Sequence, residues 1–319
     1  MPAVSIIVPV FNVEPYVAGC ARSLFGQTLK DIEFLFIDDC SPDRSIDILR
    51  EVLEEFPERK EQVTVYRMPQ NSGQAKVRMQ GLSMATGEYV IYCDSDDELA
   101  SPDAYRMMYE KAVEGDLDIV TCNYWKEDAS SSRSIVRQEC KDVRDLLTDR
   151  VQGSLVCRLI RRSILQDGIL APVGNMGEDL VLAIQATLRA AKTGHVDAPL
   201  YVYKYRSSSI SKDAGKEAAI RRHHALVANV KLLIDLLTNS YNYDSHDPAI
   251  VVFKYYARHC IERYVGDKSC YVLWKETFPE IDGYLLSTPG LSLEKKFWFV
   301  MIHCHLYDYV KRITRGIRQ

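Results

Sequence analysis

The sequence predicts an α/β fold: a mainly parallel sheet with helices on both faces. Two observations lead there. Short, near-continuous apolar runs recur through the first half of the chain, and stretches of helical period separate them. Strands buried on both faces need helices on both sides, and parallel neighbours need crossover connections long enough to hold them.

Val4-Ser5-Ile6-Ile7-Val8-Pro9-Val10 reads as the first buried strand, with a helical pattern after it from about Pro15 to Leu29. Glu33 to Ile37 is the second strand. Behind it Ser41-Pro42 offers an N-cap and a first-turn proline for a helix through Ile46, Leu49 and Leu53. Val63 to Tyr66, Tyr89 to Tyr92 and Leu117 to Val120 continue the strands. Glu127 to Arg137, rich in serine and charge, reads as an exposed loop. A helix from Glu178 to Ala191 and a strand from Pro199 to Tyr205 follow. From Gly215 the pattern turns to long helices rich in Tyr, Arg and Lys, which divides the chain into 1–214 and a helical region 215–319.

The bulk properties narrow the function. The chain has 319 residues, 47% hydrophobic and 26% charged, which excludes wholesale disorder. A net charge of -4 gives no sign of a nucleic-acid partner. The 9 cysteines are odd in number and form no C-x-x-C pair, a pattern of reduced thiols. The run Val4 to Val10 is too short for a secretory leader, and no uncharged apolar stretch reaches the roughly 18–20 residues of a membrane span. The expected location is cytoplasmic.

In an open α/β sheet, ligands bind beyond the carboxyl ends of the strands. The first strand ends in Pro9-Val10-Phe11-Asn12, without the G-x-G-x-x-G of a dinucleotide site. The second ends in Asp38-Asp39, adjacent acids that need a compensating donor or else serve a capping turn. The fourth ends in Asp94-Ser95-Asp96-Asp97, costly to gather without a cation. An exposed acidic turn is the alternative, but the place at the sheet edge favours Mg2+ or Mn2+. Asn71 to Arg78 enters a helix, and Lys76 or Arg78 could meet phosphate there, or simply be solvated. Glu178-Asp179 opens another helix, where acids complement the dipole; a general base is the functional alternative.

The last segment, 294–319, joins Lys295, Lys296, Lys311, Arg312, Arg315 and Arg318 with Phe297, Trp298, Phe299, Tyr307 and Tyr309. This composition suits either a membrane-surface segment or a packing helix. His303-Cys304-His305 lacks further ligands at zinc spacing, and His223-His224 reads as helix surface.

Taken in order, these residues resemble glycosyltransferase family 2, the inverting family with the GT-A fold. The resemblance rests on Val4 to Asn12, Ser23-Leu24, Gln27-Thr28, Phe36 to Asp43, Asn71-Ser72-Gly73, and Gly87 to Val90 leading into Asp94 to Asp97. It is dense over about 3–120 and continues thinly through Glu178-Asp179 and Tyr205 to Ser211. Two positions depart: Met79 stands where the family commonly has Asn, and Val156 to Leu159 lacks the usual aromatic residue and Lys.

The resemblance implies transfer of a sugar from a nucleotide diphosphate, most often UDP, to a hydroxyl of a glycan or lipid-linked glycan, in cell-surface polysaccharide synthesis. It implies Pro9, Val10, Asn12, Asp39, Asn71, Gly73, Arg78, Asp94, Ser95 and Arg206 at the donor, Asp96 on Mn2+ or Mg2+, and Asp179 as catalytic base. With the basic tail, it suggests peripheral contact with the inner face of the plasma membrane. A metal-dependent nucleotidyltransferase and a non-catalytic scaffold of the same fold are the competing readings.

Overall fold

The computed structural model describes residues 1–206 and 215–316, with side chains through 313. Ser207 to Ser211, the end of the Tyr205 motif, and Arg318 therefore lie outside the described residues, as does the Arg315 side chain. The chain divides into two compact units, Met1–Leu146 with Val151–Ser207, and Leu147–Arg150 with Ser208–Gln319.

The first unit is built on one sheet. Strands β1 (Val4–Val10), β2 (Ile32–Asp38), β3 (Val63–Arg67) and β4 (Tyr89–Tyr92) run parallel in the order β3-β2-β1-β4. Between and after them lie α1 (Val17–Phe25), α2 (Ser45–Leu53), α3 (Gln74–Met84) and α4 (Ala104–Gly115). Alternation along β1 divides these helices between two faces. Val4, Ile6, Val8 and Val10 enter the core with Val17, Cys20, Ala21 and Leu24 of α1. Ile7 points the other way, against α3, where a Cβ on Gly81 would strike it.

Beyond β4 the sheet becomes mixed. It continues through β5 (Glu98–Leu99), β6 (Ile119–Glu127), β7 (Arg133–Val136), β8 (Arg158–Arg161) and β9 (Thr193–Tyr203). The order is β3-β2-β1-β4-β8-β6-β9-β5, with β7 on β6. Strand β8 runs antiparallel to both β4 and β6, whereas β6 and β9 are parallel. Hydropathy does not carry strand direction, so this half was not readable from buried runs.

Two local expectations need correction. The loop Glu127 to Arg137 is a hairpin: β7 pairs antiparallel with Tyr124 to Glu127. Asp128 Oδ1 builds its turn by accepting the Ser130 and Ser132 N–H groups at 2.8 and 3.0 Å. The second helix starts at Ser45 rather than Pro42. The Ser41 N–H is taken by Asp38 Oδ1 at 2.7 Å, and Asp43 Oδ1 instead accepts from the Ser45 hydroxyl at 2.6 Å. Helices α5 (Val143–Leu147) and α6 (Glu178–Arg189) complete this part of the chain.

The second unit is helical: α7 (Lys216–Ser240), α8 (Pro248–His259), α9 (Lys268–Glu276), α10 (Leu293–His303) and α11 (Tyr307–Gly316). Asp247, Asp267 and Ser292 cap α8, α9 and α10 with their side chains. His223 is buried here and not on the helix surface; its Nε2 shares a hydrogen bond of 2.9 Å with the Thr277 hydroxyl. The basic tail is partly spent on packing: Lys295 Nζ donates to the Tyr256 hydroxyl at 2.6 Å, and Lys311 Nζ to that of Tyr307 at 2.7 Å. Leu293, Phe297, Tyr309 and Ile313 remain exposed. No helix among the described residues is long and apolar enough to cross a membrane. All the cysteines are free thiols.

Candidate functional site

The parallel register sets Val10 beside Asp38, so the loops after β1 and β2 leave the sheet together. Each contains a residue in the left-handed region, Asn12 at φ 54° and Cys40 at φ 61°, backbone conformations that side-chain-bearing residues seldom adopt outside turns and sites. The adjacent acids do not need a ligand to coexist. Asp38 is paired with Arg67 at 2.9 Å, while Asp39 accepts the N–H groups of Ser72 and Gly73 at 2.7 and 2.8 Å. Asn71 Nδ2 donates to the Asp39 carbonyl at 3.2 Å, which completes the tie between the end of β2 and the loop before α3. Val10 contributes only backbone here: its side chain is in the core, and its carbonyl accepts the Asp39 N–H at 2.9 Å. Pro9 is half-buried beside it.

Gly73 is where this loop demands glycine. Its φ of 83° and ψ of 158° fall in a region open essentially to glycine alone, and a Cβ would run into the Asn175 side-chain amide. Asn175 Oδ1 accepts the Ala75 N–H at 3.1 Å, so the segment leading into α6 is tied to the first turn of α3.

The three acids after β4 do not converge. Asp94 faces Arg78, with Oδ1 2.8 Å from Nη2. Asp96 is paired with Arg206. Asp97 turns inward, accepting the Tyr201 hydroxyl and the Lys204 N–H at 2.8 and 2.9 Å. Burial, and then the nearby Asp94 charge, push the Asp97 carboxyl up to about 8. Ser95 is buried within the turn, whereas the Asp96 side chain keeps 39% of its surface exposed.

Arg78 is only 1% exposed, and it gathers carboxylates from two elements. Besides Asp94 it contacts Glu178 at 3.0 Å and Asp179, both in the first turn of α6. Arg78, which the family resemblance sets at the donor, has its guanidinium engaged by these three carboxylates inside the protein. Burial raises the Glu178 carboxyl above its ordinary range, and the Arg78 charge opposes that rise. Asp179 remains partly exposed, at 27% of its side chain.

Asn175 was not singled out from sequence, and Glu178 was named there only with Asp179 as an acid opening a helix, without its partner Arg78. A polar residue before a helix and an acid in its first turn are ordinary features, and only the fold reveals which side chains they reach. Arg206 closes the other side. It lies 4.1 Å from the centroid of the Tyr16 ring, close enough for a cation–π contact, with Nη2 3.5 Å from Asp97 Oδ1.

A divalent ion fits this donor set in one way. Among the described residues no group of three or more His, Cys, Asp or Glu side chains could hold a metal alone. Mg2+ and Mn2+ accept one or two carboxylates when substrate phosphates supply further oxygens. Asp96, partly exposed, presents a single carboxylate of the kind such an ion accepts.

Comparison with known proteins accords with this geometry. Residues 5–168 match the family described as glycosyl transferase family 2. A Bacillus subtilis relative, described as the uncharacterized glycosyltransferase EpsJ, is 30% identical over 232 residues. That match covers 68% of this chain and 65% of the relative's length. Among solved structures, S. aureus TarS 1-349 in complex with UDP-GlcNAc aligns at a TM-score of 0.60 and 20% identity, covering 89% of each chain. The mannosyltransferase PcManGT from Pyrobaculum calidifontis, in complex with GDP-Man and Mn2+, aligns at 0.53 and 16% identity, covering 98% of this chain and 87% of that one. Both structures share the GT-A fold with this protein. The chain spans a little under two thirds of the length of the Bacillus subtilis relative, and it belongs to glycosyl transferase family 2.

Proposed function

We propose that this protein is an inverting transferase that moves a sugar from UDP to a glycan hydroxyl, with Mn2+ or Mg2+ on Asp96 and Asp179 as general base. The observation that carries this reading is the Arg78 link. One buried guanidinium joins Asp94, two residues from the metal ligand, to Asp179 on the facing helix. Donor-side and acceptor-side acids are thereby held at one strand edge.

In this reading the nucleotide lies over the ends of β1 and β2, with the base against Pro9 and the Asp39–Asn71 loop and the ribose towards Asp94. The divalent ion, when bound, offsets the negative charge that develops on the leaving diphosphate. Asp179 takes the proton from the acceptor hydroxyl as its oxygen attacks the anomeric carbon. The bond from that carbon to the diphosphate oxygen breaks, its electron pair leaves with UDP, and the configuration inverts. Arg78 orients the Asp179 carboxylate throughout, and Glu178 supplies a second counter-charge to the same guanidinium. The TarS and PcManGT complexes support the classes of donor and metal, since those proteins were solved with UDP-GlcNAc and with GDP-Man and Mn2+. Peripheral contact with a membrane through exposed Leu293, Phe297, Tyr309 and Ile313 belongs to the same reading, and flotation with anionic vesicles tests it.

The decisive assay supplies UDP-sugars with Mn2+ and a glycan acceptor, then identifies the released product and the anomeric configuration by NMR. UDP release with inversion is expected, and Asp179→Asn should cut transfer by about 10²- to 10⁴-fold while donor binding persists. Pyrophosphate release from a nucleoside triphosphate would establish the nucleotidyltransferase instead.

A further inference from the structure

The cation that touches Asp96 in this protein is one of its own side chains. Arg206 places Nη1 on Asp96 Oδ2, rests its guanidinium on the Tyr16 ring and is 8% exposed. Its position follows from the fold. Strand β9 ends at Tyr203, and Asp97 pins the exit by accepting the Tyr201 hydroxyl and the Lys204 N–H at 2.8 and 2.9 Å. The acidic turn that presents Asp96 outward therefore also fixes the segment that delivers Arg206 to it.

We infer that Arg206 is an internal cation that competes with the divalent ion for Asp96, so that metal enters with the nucleotide diphosphate and not alone. The inference rests on the proposed role of Asp96. A guanidinium and a divalent ion cannot share one carboxylate oxygen without strong like-charge repulsion at a separation of a few ångström. Free metal must therefore displace Arg206, leaving a largely buried guanidinium without that partner. A diphosphate removes both obstacles. Its oxygens complete the coordination shell of the ion, and its planar pairs of acceptors suit the fork of an arginine. Asp96 is thus a selective ligand, weak for the aquo ion and strong for the ion carried by its substrate. By linkage, removing the guanidinium must raise affinity for free metal more than affinity for the metal–nucleotide pair.

The test is Mn2+ binding read from the EPR amplitude of the unbound ion, with and without UDP and corrected for the Mn2+–UDP complex in solution. It needs no turnover. Wild type should bind Mn2+ weakly alone and well with UDP. Arg206→Gln should bind Mn2+ without nucleotide on the order of 10- to 100-fold tighter than wild type. Arg206→Lys, which keeps the charge, should stay near wild type and so separates competition from general loosening of the site. Equal nucleotide-free affinities of wild type and Arg206→Gln overturn the inference, as does a wild type that binds Mn2+ equally with and without UDP. Asp96→Asn tells the two levels apart. If it loses Mn2+ binding with UDP while Arg206→Gln changes nothing, only the competition fails. If it binds like wild type, Asp96 is not the ligand, and both readings fall.

Discussion

At Arg78, one guanidinium with 1% exposure carries the carboxylates of Asp94, Glu178 and Asp179. A buried cation among several acids cannot be removed quietly, because the carboxylates left behind repel one another where little water reaches them. Arg78→Met keeps much of the volume and removes the charge; it should cost about 3–5 kcal/mol, read as a drop in Tm, and abolish transfer. A Tm unchanged by this substitution would mean that the acids are neutralised elsewhere. Much of the site was legible at this scale, since acids placed after strands are conspicuous. The sequence did not say which acid meets which base. Asp39 and Asp96 are both strand-end acids, yet one is satisfied by backbone N–H groups and the other by Arg206. That distinction depends on contacts across 33 to 110 residues of chain, as from Asp39 to Ser72 and from Asp96 to Arg206.

Among the elements, α3 links the two halves of the site. Its first turn is held by Asp39 on one side and Asn175 on the other, and Gly73 makes that approach close enough. Gly73→Ala should destabilise by about 1–3 kcal/mol and weaken UDP binding, measured by thermal melting and calorimetry on the same sample. Full stability with normal binding would show that the loop does not need its backbone conformation.

In α7, burial lowers the His223 pKa to about 4 from the ordinary 6.5. The folded state thus binds fewer protons than the unfolded state between those values, so stability is complete above about pH 6.5 and falls as pH drops towards 4. The loss at the acid end approaches about 3 kcal/mol. His223→Gln should flatten that part of the stability–pH curve, and an unchanged slope would place the titration elsewhere. The buried runs of β1 to β4 announced these strands, but β7 and the start of α2 escaped. β7 is short and mostly exposed, and Ser41 is drawn into a turn by Asp38. The misreading of His223 has a similar origin, since nothing in a helical run of charged neighbours says which turn will be covered.

On the scale of the whole molecule, the parallel half of the sheet and its acidic edge form the proposed donor site, and the later strands bring Arg206 and α6 to it. The family was legible because its motifs fall at successive strand ends. Sheet direction beyond β4 was not, because Arg158–Arg161 is short and carries no directional signal. In the proposed function, Asp96 organises a metal-dependent nucleotide-sugar site. Calorimetric titration of UDP into the protein, with Mn2+ and again with EDTA, tests it most directly. Binding with Mn2+ that vanishes on chelation and in Asp96→Asn is the predicted result. Binding that survives both, or no binding of UDP at all, would contradict it.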